Sequence, residues 1–171
     1  VLDNKLRTHY ATISDDSETS RVSYQPDGVH SIERKTIQGE LLELFGRNER
    51  SDERYGTTTA GPHRDDLTFS LDDRPLKAFG SQGQQKSFVL ALKMAEMDNL
   101  QDIFGESPLL LLDDMSSELD ARRNHNLMEF LTARDIQVFV TTTERSPALL
   151  DTASHCAVFR MEDGNLTFEG K

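Results

Sequence analysis

Two stretches of this chain carry residue types that can do chemistry. The first is Leu109-Leu110-Leu111-Leu112-Asp113-Asp114, four apolar residues running into two acids. An apolar run without alternation predicts a short strand buried on both faces, as in a parallel sheet. Such a strand delivers its carboxylates to the carboxyl end of the sheet, where α/β proteins bind ligands. Adjacent carboxylates repel, so a site that keeps both ionised calls for a cation. Mg2+ is a hard ion that prefers oxygen, and it suits a short aspartate that leaves room for water and phosphate. A solvated strand terminus would carry the same residues, and the acids alone do not decide. The second stretch is Gly80-Ser81-Gln82-Gly83-Gln84-Gln85-Lys86-Ser87, rich in small and amide residues and placed before a helical pattern. A helix amino terminus with open N–H groups and an exposed Ser81 hydroxyl is a ready anion site. Ser81 also reads as a plain N-cap, which is the simpler account of this stretch taken alone.

The elements that would position these residues follow from the hydrophobic pattern. Residues 1–20 read as the tail of a helix followed by a polar loop, Ser14 to Ser20. Arg21 to Gln25 alternate as a strand and stop at the turn signal Pro26-Asp27-Gly28. From Ser31 onward Ile37, Leu41, Leu44 and Phe45 form one helical stripe, and the charged stretch Arg47 to Arg54 leads out of it. Residues 66–79 read as a hairpin turning at Asp72-Asp73-Arg74-Pro75. A helix from about Ser81 to Asn99 buries Phe88, Ala91, Leu92 and Ala95, with a second flank from Val89 and Met97. After the acid-tipped strand, a helix from Asp120 to about Ala133 turns Leu127, Phe130 and Leu131 inward. Ile136 to Val140 is a second buried strand, and Ala157 to Phe168 a hairpin around Glu162-Asp163-Gly164-Asn165. Strand, helix, strand, helix in this order predicts an α/β core with a parallel sheet.

Composition sets limits on partners. The 171 residues carry a formal net charge of −11, and the average field of such a domain repels a polyanion. Basic residues cluster at Arg47, Arg50 and Arg54 and at Arg122-Arg123, with acids beside them. Weak DNA binding by the isolated chain is the expectation, with any contact made through a larger assembly. No apolar run approaches the roughly 20 residues needed to cross a bilayer. The lone Cys156 forms no internal disulfide, which suits a reducing cytosol; a small buried residue is its expected role. His9, His30, His125 and His155 have no metal-ligand spacing. Asn165-Leu166-Thr167 matches a glycosylation acceptor but reads as a turn.

Together the two chemical stretches resemble the ATP-binding-cassette (ABC) ATPases. The strand Leu109 to Asp114, followed by the polar turn Ser116-Ser117-Glu118-Leu119-Asp120, is similar to a Walker B strand running into a D-loop, with Asp120 as a helix N-cap. Ser81, Gly83 and Gln84 resemble the signature motif of that family, with Gln82 replacing its first glycine. The order and the spacing of about 30 residues also agree. Thr57-Thr58-Thr59-Ala60-Gly61-Pro62-His63-Arg64-Asp65-Asp66-Leu67 resembles a string characteristic of RecF, a DNA-repair and recombination family related to the SMC group. The pair Asp113-Asp114, in place of the usual Asp-Glu, fits the same family. The resemblance extends over nearly the whole chain, most securely Thr57 to Thr143.

The resemblance implies an α/β fold, a partial ABC ATPase head with parallel core strands flanked by helices. Residues 1–55 would be the end of an inserted helical lobe and the returning chain, and 56–171 the carboxy-terminal half of the head. Asp113 would hold Mg2+ and Asp114 would take the place of the carboxylate that orients attacking water, with a shorter reach and slow hydrolysis. Ser81, Gln82, Gly83 and Gln84 would contact ATP bound to a partner subunit, and Asp120 and Ser117 would lie at the dimer seam. Thr142 stands nearest to the place of a phosphate-sensing histidine, whose proton chemistry a hydroxyl cannot take over. His63 and Arg64 carry two readings. One is structural, with Arg64 pairing to Asp65 or Asp66; the other is a nucleotide or DNA contact. The implied partners are DNA, an ATP-dependent homodimer, and the recombination mediators RecR and RecO, in the cytoplasm and without a membrane.

No G-x-x-x-x-G-K-[ST] string occurs in the chain, and the family carries that phosphate loop ahead of everything seen here. A longer protein, with this chain inactive by itself, is therefore expected. Two other readings remain open: a non-hydrolysing ABC-like clamp or interaction module, and a fragment of another SMC-like ATPase. A receiver-type phosphoacceptor domain would need a lysine after a later strand, where Thr141-Thr142-Thr143 stand instead.

Overall fold

The computed structural model describes residues 1–31, 33–113, 119–143 and 156–170. Two compact units account for them: 1–21 with 70–171, and 22–69. The larger unit is built on three helices. In α1 (Leu2–Ser14) Leu6, Tyr10 and Ile13 recur at helical spacing and are buried together with His9. That face packs on α4 (Gln82–Phe104) and α5 (Ala121–Thr132). From α4 come Phe88, Leu90, Ala91, Met94, Ala95 and Met97, and from α5 Leu127, Met128 and Leu131. Full burial of each large apolar side chain stabilises the unit by roughly 1.5–3 kcal/mol. The Tyr10 and Phe88 rings meet with centroids 5.9 Å apart, a tilted aromatic pair at the middle of this core.

Backbone chemistry sets where these helices stop. Asp15 follows α1 in the left-handed region, with its N–H returned to Ala11 O. Gly105 ends α4 the same way on Gln101 O, the C-cap solution that glycine adopts at least cost. The strands β4 (Leu110–Leu112) and β5 (Val138–Val140) pair in parallel, Leu110 to Val138 and Leu112 to Val140. Helix α5 lies between them in sequence, as a parallel crossover requires. The hairpin of β6 (Val158–Glu162) and β7 (Asn165–Gly170) turns through Asp163-Gly164, both at positive φ, the expected Asp-Gly turn.

In the smaller unit α2 (Arg34–Tyr55) buries no residue completely; Ile37, Leu41 and Leu44 are half-buried. Its ends are tied by carboxylates: Glu40 accepts the His30 N–H at 2.7 Å, and Asp52 accepts the Thr59 N–H at 2.8 Å and hydroxyl at 2.6 Å. A single 3₁₀ turn, Pro62–Arg64, precedes β2 (Asp66–Leu71). The strands β1 (Ser20–Gln25), β2 and β3 (Arg74–Pro75) form a sheet in that order.

Several sequence expectations are corrected. Helix α2 runs through Arg47 to Arg54, because that charged stretch is a solvated helical face in which Arg47 pairs with Glu43 one turn back. The return strand after Asp72-Asp73 is only two residues long, and the chain then coils into α3 (Leu76–Phe79). Val89 is exposed, and Leu90 and Met94 take the buried positions. Neither parallel strand is covered on both faces: Leu111 is 70% exposed and Phe139 51%. Cys156 is half-buried rather than enclosed. Helix α1 packs on α4 and α5 within the larger unit.

A polar contact also fastens the helices. The buried His9 donates from Nε2 to Asp98 at 2.6 Å, and Arg134, just past α5, reaches the other Asp98 oxygen at 2.6 Å. The Arg134 guanidinium lies 4.3 Å from the centroid of the Phe130 ring, whose edge meets His9. Burial lowers the His9 pKa, and the Asp98 hydrogen bond pulls the other way without compensating. His9 is therefore neutral, with its buried Nδ1 unpartnered among the described residues. Its folded pKa lies below the unfolded value of about 6.5, so on acidification the unfolded chain takes up the proton first. Stability contributed here is complete above pH about 6.5 and declines as pH falls toward the folded pKa. Thermal melts should show the midpoint dropping in that window. His9→Gln, which can still donate to Asp98, should flatten the drop; an unchanged profile would refute the neutral buried His9.

Candidate functional site

Ser81 begins α4 with a complete capping box. Its Oγ accepts the Gln84 N–H at 3.2 Å, and the Gln84 Oε1 accepts the Ser81 N–H at 2.7 Å. This geometry needs an S-x-x-Q pattern, and Ser81 to Gln84 supplies it. A hydroxyl that accepts one such bond keeps its own proton to donate. Ser81 and Gln82 are exposed and Gly83 is half-buried. As first-turn residues, Gln82 and Gly83 have N–H groups with no intrahelical acceptor. The start of α4 is thus an open, positively polarised terminus with an exposed hydroxyl.

Asp113 follows β4 and is exposed. The parallel pairing sets the two strand ends side by side: the Thr141 N–H donates to Leu112 O at 2.9 Å, and the Thr141 hydroxyl donates to Asp113 Oδ1. Thr142, exposed, is the next residue along. Asp120 caps α5, its Oδ1 accepting the Arg123 N–H at 2.8 Å. Asp114 and Ser117 lie outside the described residues.

The two helix starts are joined by residues whose role the sequence reading did not anticipate. Arg123 reaches Glu18 from Nη2 at 3.1 Å to both carboxylate oxygens, and Ser87 Oγ from Nη1 at 3.2 Å. Glu18 also accepts the Tyr10 hydroxyl at 2.5 Å and the Gln84 amide at 2.7 Å. Burial would push the Glu18 carboxyl up, but hydrogen bonds from Tyr10 and Gln84 and the Arg123 charge outweigh it and hold it below its ordinary value. One signal was available in sequence. A cation in the first turn of a helix faces the positive end of the dipole, so Arg123 calls for acidic company.

His63 and Arg64 belong to the smaller unit and are exposed. The His63 Nε2 lies 3.0 Å from Thr58 O. The expected pairing of Arg64 with Asp65 or Asp66 is not formed among the described residues. Asp65 instead accepts the Tyr24 hydroxyl and the Asp27 N–H, and Asp66 accepts the Leu67 N–H. No group of three or more His, Cys, Asp or Glu suited to a metal occurs among the described residues.

No protein-family model matches the chain. Curated relatives do. A DNA replication and repair protein RecF of Trichlorobacter lovleyi is 50% identical over 169 residues, which cover 99% of this chain and 46% of that protein. RecF of Geotalea daltonii is 47% identical over 97% of the chain and 46% of its own length. Over nearly its whole length the chain matches one part of RecF, with half of its residues identical in the first of these relatives. It spans about half the length of the curated RecF relatives it matches. Among solved structures, the recombination mediator protein RecF with ATP in the RecFOR pathway superposes with a TM-score of 0.72 at 28% identity, over 98% of this chain and 43% of that one. A structure described for ATP-driven dimerization of SMC ATPases matches with a TM-score of 0.59 at 15% identity, over 99% of this chain and 83% of that one. The fold is the α/β fold shared by RecF and SMC-type ATPase heads.

Gly80, the residue before the cap, is fixed by its surroundings. Its N–H donates to Leu76 O at 2.8 Å, and its carbonyl accepts the Gln85 amide at 2.9 Å. A Cβ there would stand 2.7 Å from Leu76 O and 2.8 Å from Leu76 Cδ1. A side chain can turn away, but the backbone oxygen cannot. Gly80→Ala should therefore lower stability by about 1–3 kcal/mol, the usual cost of overpacking. Urea unfolding checks this, and a variant as stable as the parent would show that the turn before α4 is not held this closely.

Proposed function

We propose that this chain is the carboxy-terminal portion of a RecF-family protein that acts on DNA in recombinational repair and replication. In this reading it supplies one face of an ATP site completed by a second copy. The observation that carries the proposal is the open, capped start of α4 on the same unit as the exposed Asp113 strand end, in a chain half identical to RecF relatives. Ser81 would present its hydroxyl, and Gln82 and Gly83 their first-turn N–H groups, to the γ-phosphate held by the partner, with Gln84 holding the turn through the cap. The Gln84 side chain acts indirectly, since it is occupied by the Ser81 N–H and Glu18. Asp120, with Ser117, would stand at the seam.

The donors at the strand end fit Mg2+. Asp113 offers an exposed carboxylate oriented by the Thr141 hydroxyl, and one or two carboxylates with water and phosphate suffice for this ion. When bound, the ion would neutralise phosphate charge. Asp114 would orient the attacking water, with a reach one methylene shorter than glutamate, so turnover would be slow. Thr142 would contact phosphate as a hydroxyl donor. A non-hydrolysing clamp is the second reading, favoured by threonines rather than a base after β5.

With a net charge of −11, DNA contact would be made by the whole protein and not by this portion alone. His63 and Arg64 are candidates for a nucleotide or DNA contact, and RecR and RecO for protein partners. Among the described residues no helix is long and apolar enough to cross a membrane; a cytoplasmic setting belongs to the same proposal.

The test uses a chain of the relatives' full length. Sedimentation should show dimerisation that requires ATP, lost in Asp113→Asn and in Ser81→Arg. Ser81→Asp separates binding from folding, because aspartate keeps the N-cap but repels phosphate; it should also abolish dimerisation. The 171-residue chain alone should bind ATP negligibly by calorimetry. Normal dimerisation of Asp113→Asn and Ser81→Asp would overturn the assignment.

A further inference from the structure

Tyr10 on α1, Gln84 on α4 and Arg123 on α5 meet at one carboxylate, that of Glu18. Glu18 stands in the segment between α1 and β1, and its side chain and that of Arg123 are each only 15% exposed. Its oxygens accept from Tyr10, Gln84 and Arg123, which satisfies a buried charge that would otherwise be costly. Two polar paths leave it for the start of α4. One runs through the Gln84 amide, whose Oε1 holds the Ser81 N–H. The other runs through Arg123 Nη1 to Ser87 Oγ, whose hydroxyl donates to Gly83 O at 2.8 Å. A third contact reaches the start of α5, where Arg123 Nε is 3.5 Å from Asp120 Oδ2.

We infer that Glu18 is a positioning residue that locks the start of α4 to the start of α5, so that Ser81, Gly83 and Asp120 present one rigid surface to the nucleotide of a neighbouring copy. The inference rests on the assignment of those residues to the seam. Glu18 touches no ligand in this account; it acts through Gln84 and Arg123. Stability alone would be a sufficient role for a carboxylate in a loop. But a carboxylate needed only for stability has no reason to fix both the cap donor and the glycine carbonyl of the same helix turn. The geometry does both, through separate partners. Preorganisation of this kind matters because a loose donor set must be ordered at the moment of binding, which reduces affinity.

The experiment uses the full-length chain and three readouts: ATP affinity of the monomer, the dimer dissociation constant at saturating ATP, and the thermal midpoint. Glu18→Gln keeps the shape but removes the charge that holds the Arg123 fork. Arg123→Lys keeps the charge but cannot span Glu18, Ser87 and Asp120 together. Leu6→Val loosens the α1 packing without touching the carboxylate and serves as the stability control. Both network variants should weaken the ATP-dependent dimer by about tenfold or more (~1.4 kcal/mol) while monomer ATP affinity stays within about twofold of the parent. Leu6→Val should lower the midpoint and leave the dimer unchanged. Dimer constants for Glu18→Gln and Arg123→Lys that move no further than that of Leu6→Val would reduce Glu18 to a packing role and overturn the inference. Equal losses in monomer ATP affinity would overturn it too. Normal dimerisation of Ser81→Asp marks a different failure, that of the seam assignment itself.

Discussion

A helix amino terminus that is to receive an anion works under two opposed demands. Some of its first four N–H groups must remain open, since they are the donors, and a buried terminus with unmet donors would be costly. Yet the turn that carries them must not fray. Helix α4 meets both demands by using the Ser81 and Gln84 groups on each other, which consumes two backbone donors and leaves those of Gln82 and Gly83 outside the helical ladder. The remaining rigidity has to come from outside the helix, and it comes from Glu18. A carboxylate accepting from three side chains converts a polar loop into a fixed point for α1, α4 and α5.

The same three helices are clamped at a second place by His9, Asp98 and Arg134, and the two clamps differ in their electrostatic logic. At Glu18 burial is outweighed by donors, so the carboxyl stays ionised over most of the pH range. At His9 burial prevails over its acidic partner, so the ring stays neutral. Asp98 follows Glu18: burial pushes it up, and Arg134 and His9 bring it below its ordinary value. The apolar packing of Leu6, Tyr10, Phe88, Met94 and Leu127 holds the helices together, while these polar contacts select one register among the arrangements such packing would allow. Their contribution to net stability is modest for their number, because each charged group gave up hydration to take its place.

The motifs were legible in the sequence because they rest on local chemistry. A serine three residues before a glutamine, four leucines before two aspartates, and Asp-Gly between alternating residues each specify a short geometry without tertiary help; α4, β4 and the β6–β7 hairpin form where they were read, though α4 runs on to Phe104. What was missed depends on distance along the chain. Glu18 sits in a run of polar residues that composition reports only as a loop, while its partners are 66 and 105 residues away. The charged run at 47–54 looked like a linker because its helical stripe is thin and polar, with Asn48, Ser51 and Asp52 continuing it as half-buried positions. Leu111 and Phe139, exposed here though their strands read as fully buried, expose a limit of pattern reading. An apolar run records the cover a strand needs, and Leu110 and Leu112 find it on one face of β4 while Leu111 does not on the other.

Arginine at position 123 is the more telling choice in this arrangement, because helix electrostatics argue against it. A cation in the first turn opposes the dipole by a few tenths of a kcal/mol to about 1 kcal/mol, and a lysine there could swing its ammonium into solvent. The guanidinium instead donates from Nη1 to Ser87 on α4 and from Nη2 to Glu18 before β1, while its Nε lies in ion-pair range of Asp120 at its own cap. A planar fork can serve such a set with little further loss of side-chain freedom, whereas an ammonium on a flexible stem would have to satisfy them from a single point. Two acids flanking one arginine also leave the cluster with a formal charge of −1 before any ligand arrives. A phosphate approaching the start of α4 would therefore be drawn by backbone donors and the Ser81 hydroxyl, not by the Arg123 charge. Recognition built on backbone geometry is lost when the turn moves, and that is why its position has to be fixed by the side chains behind it.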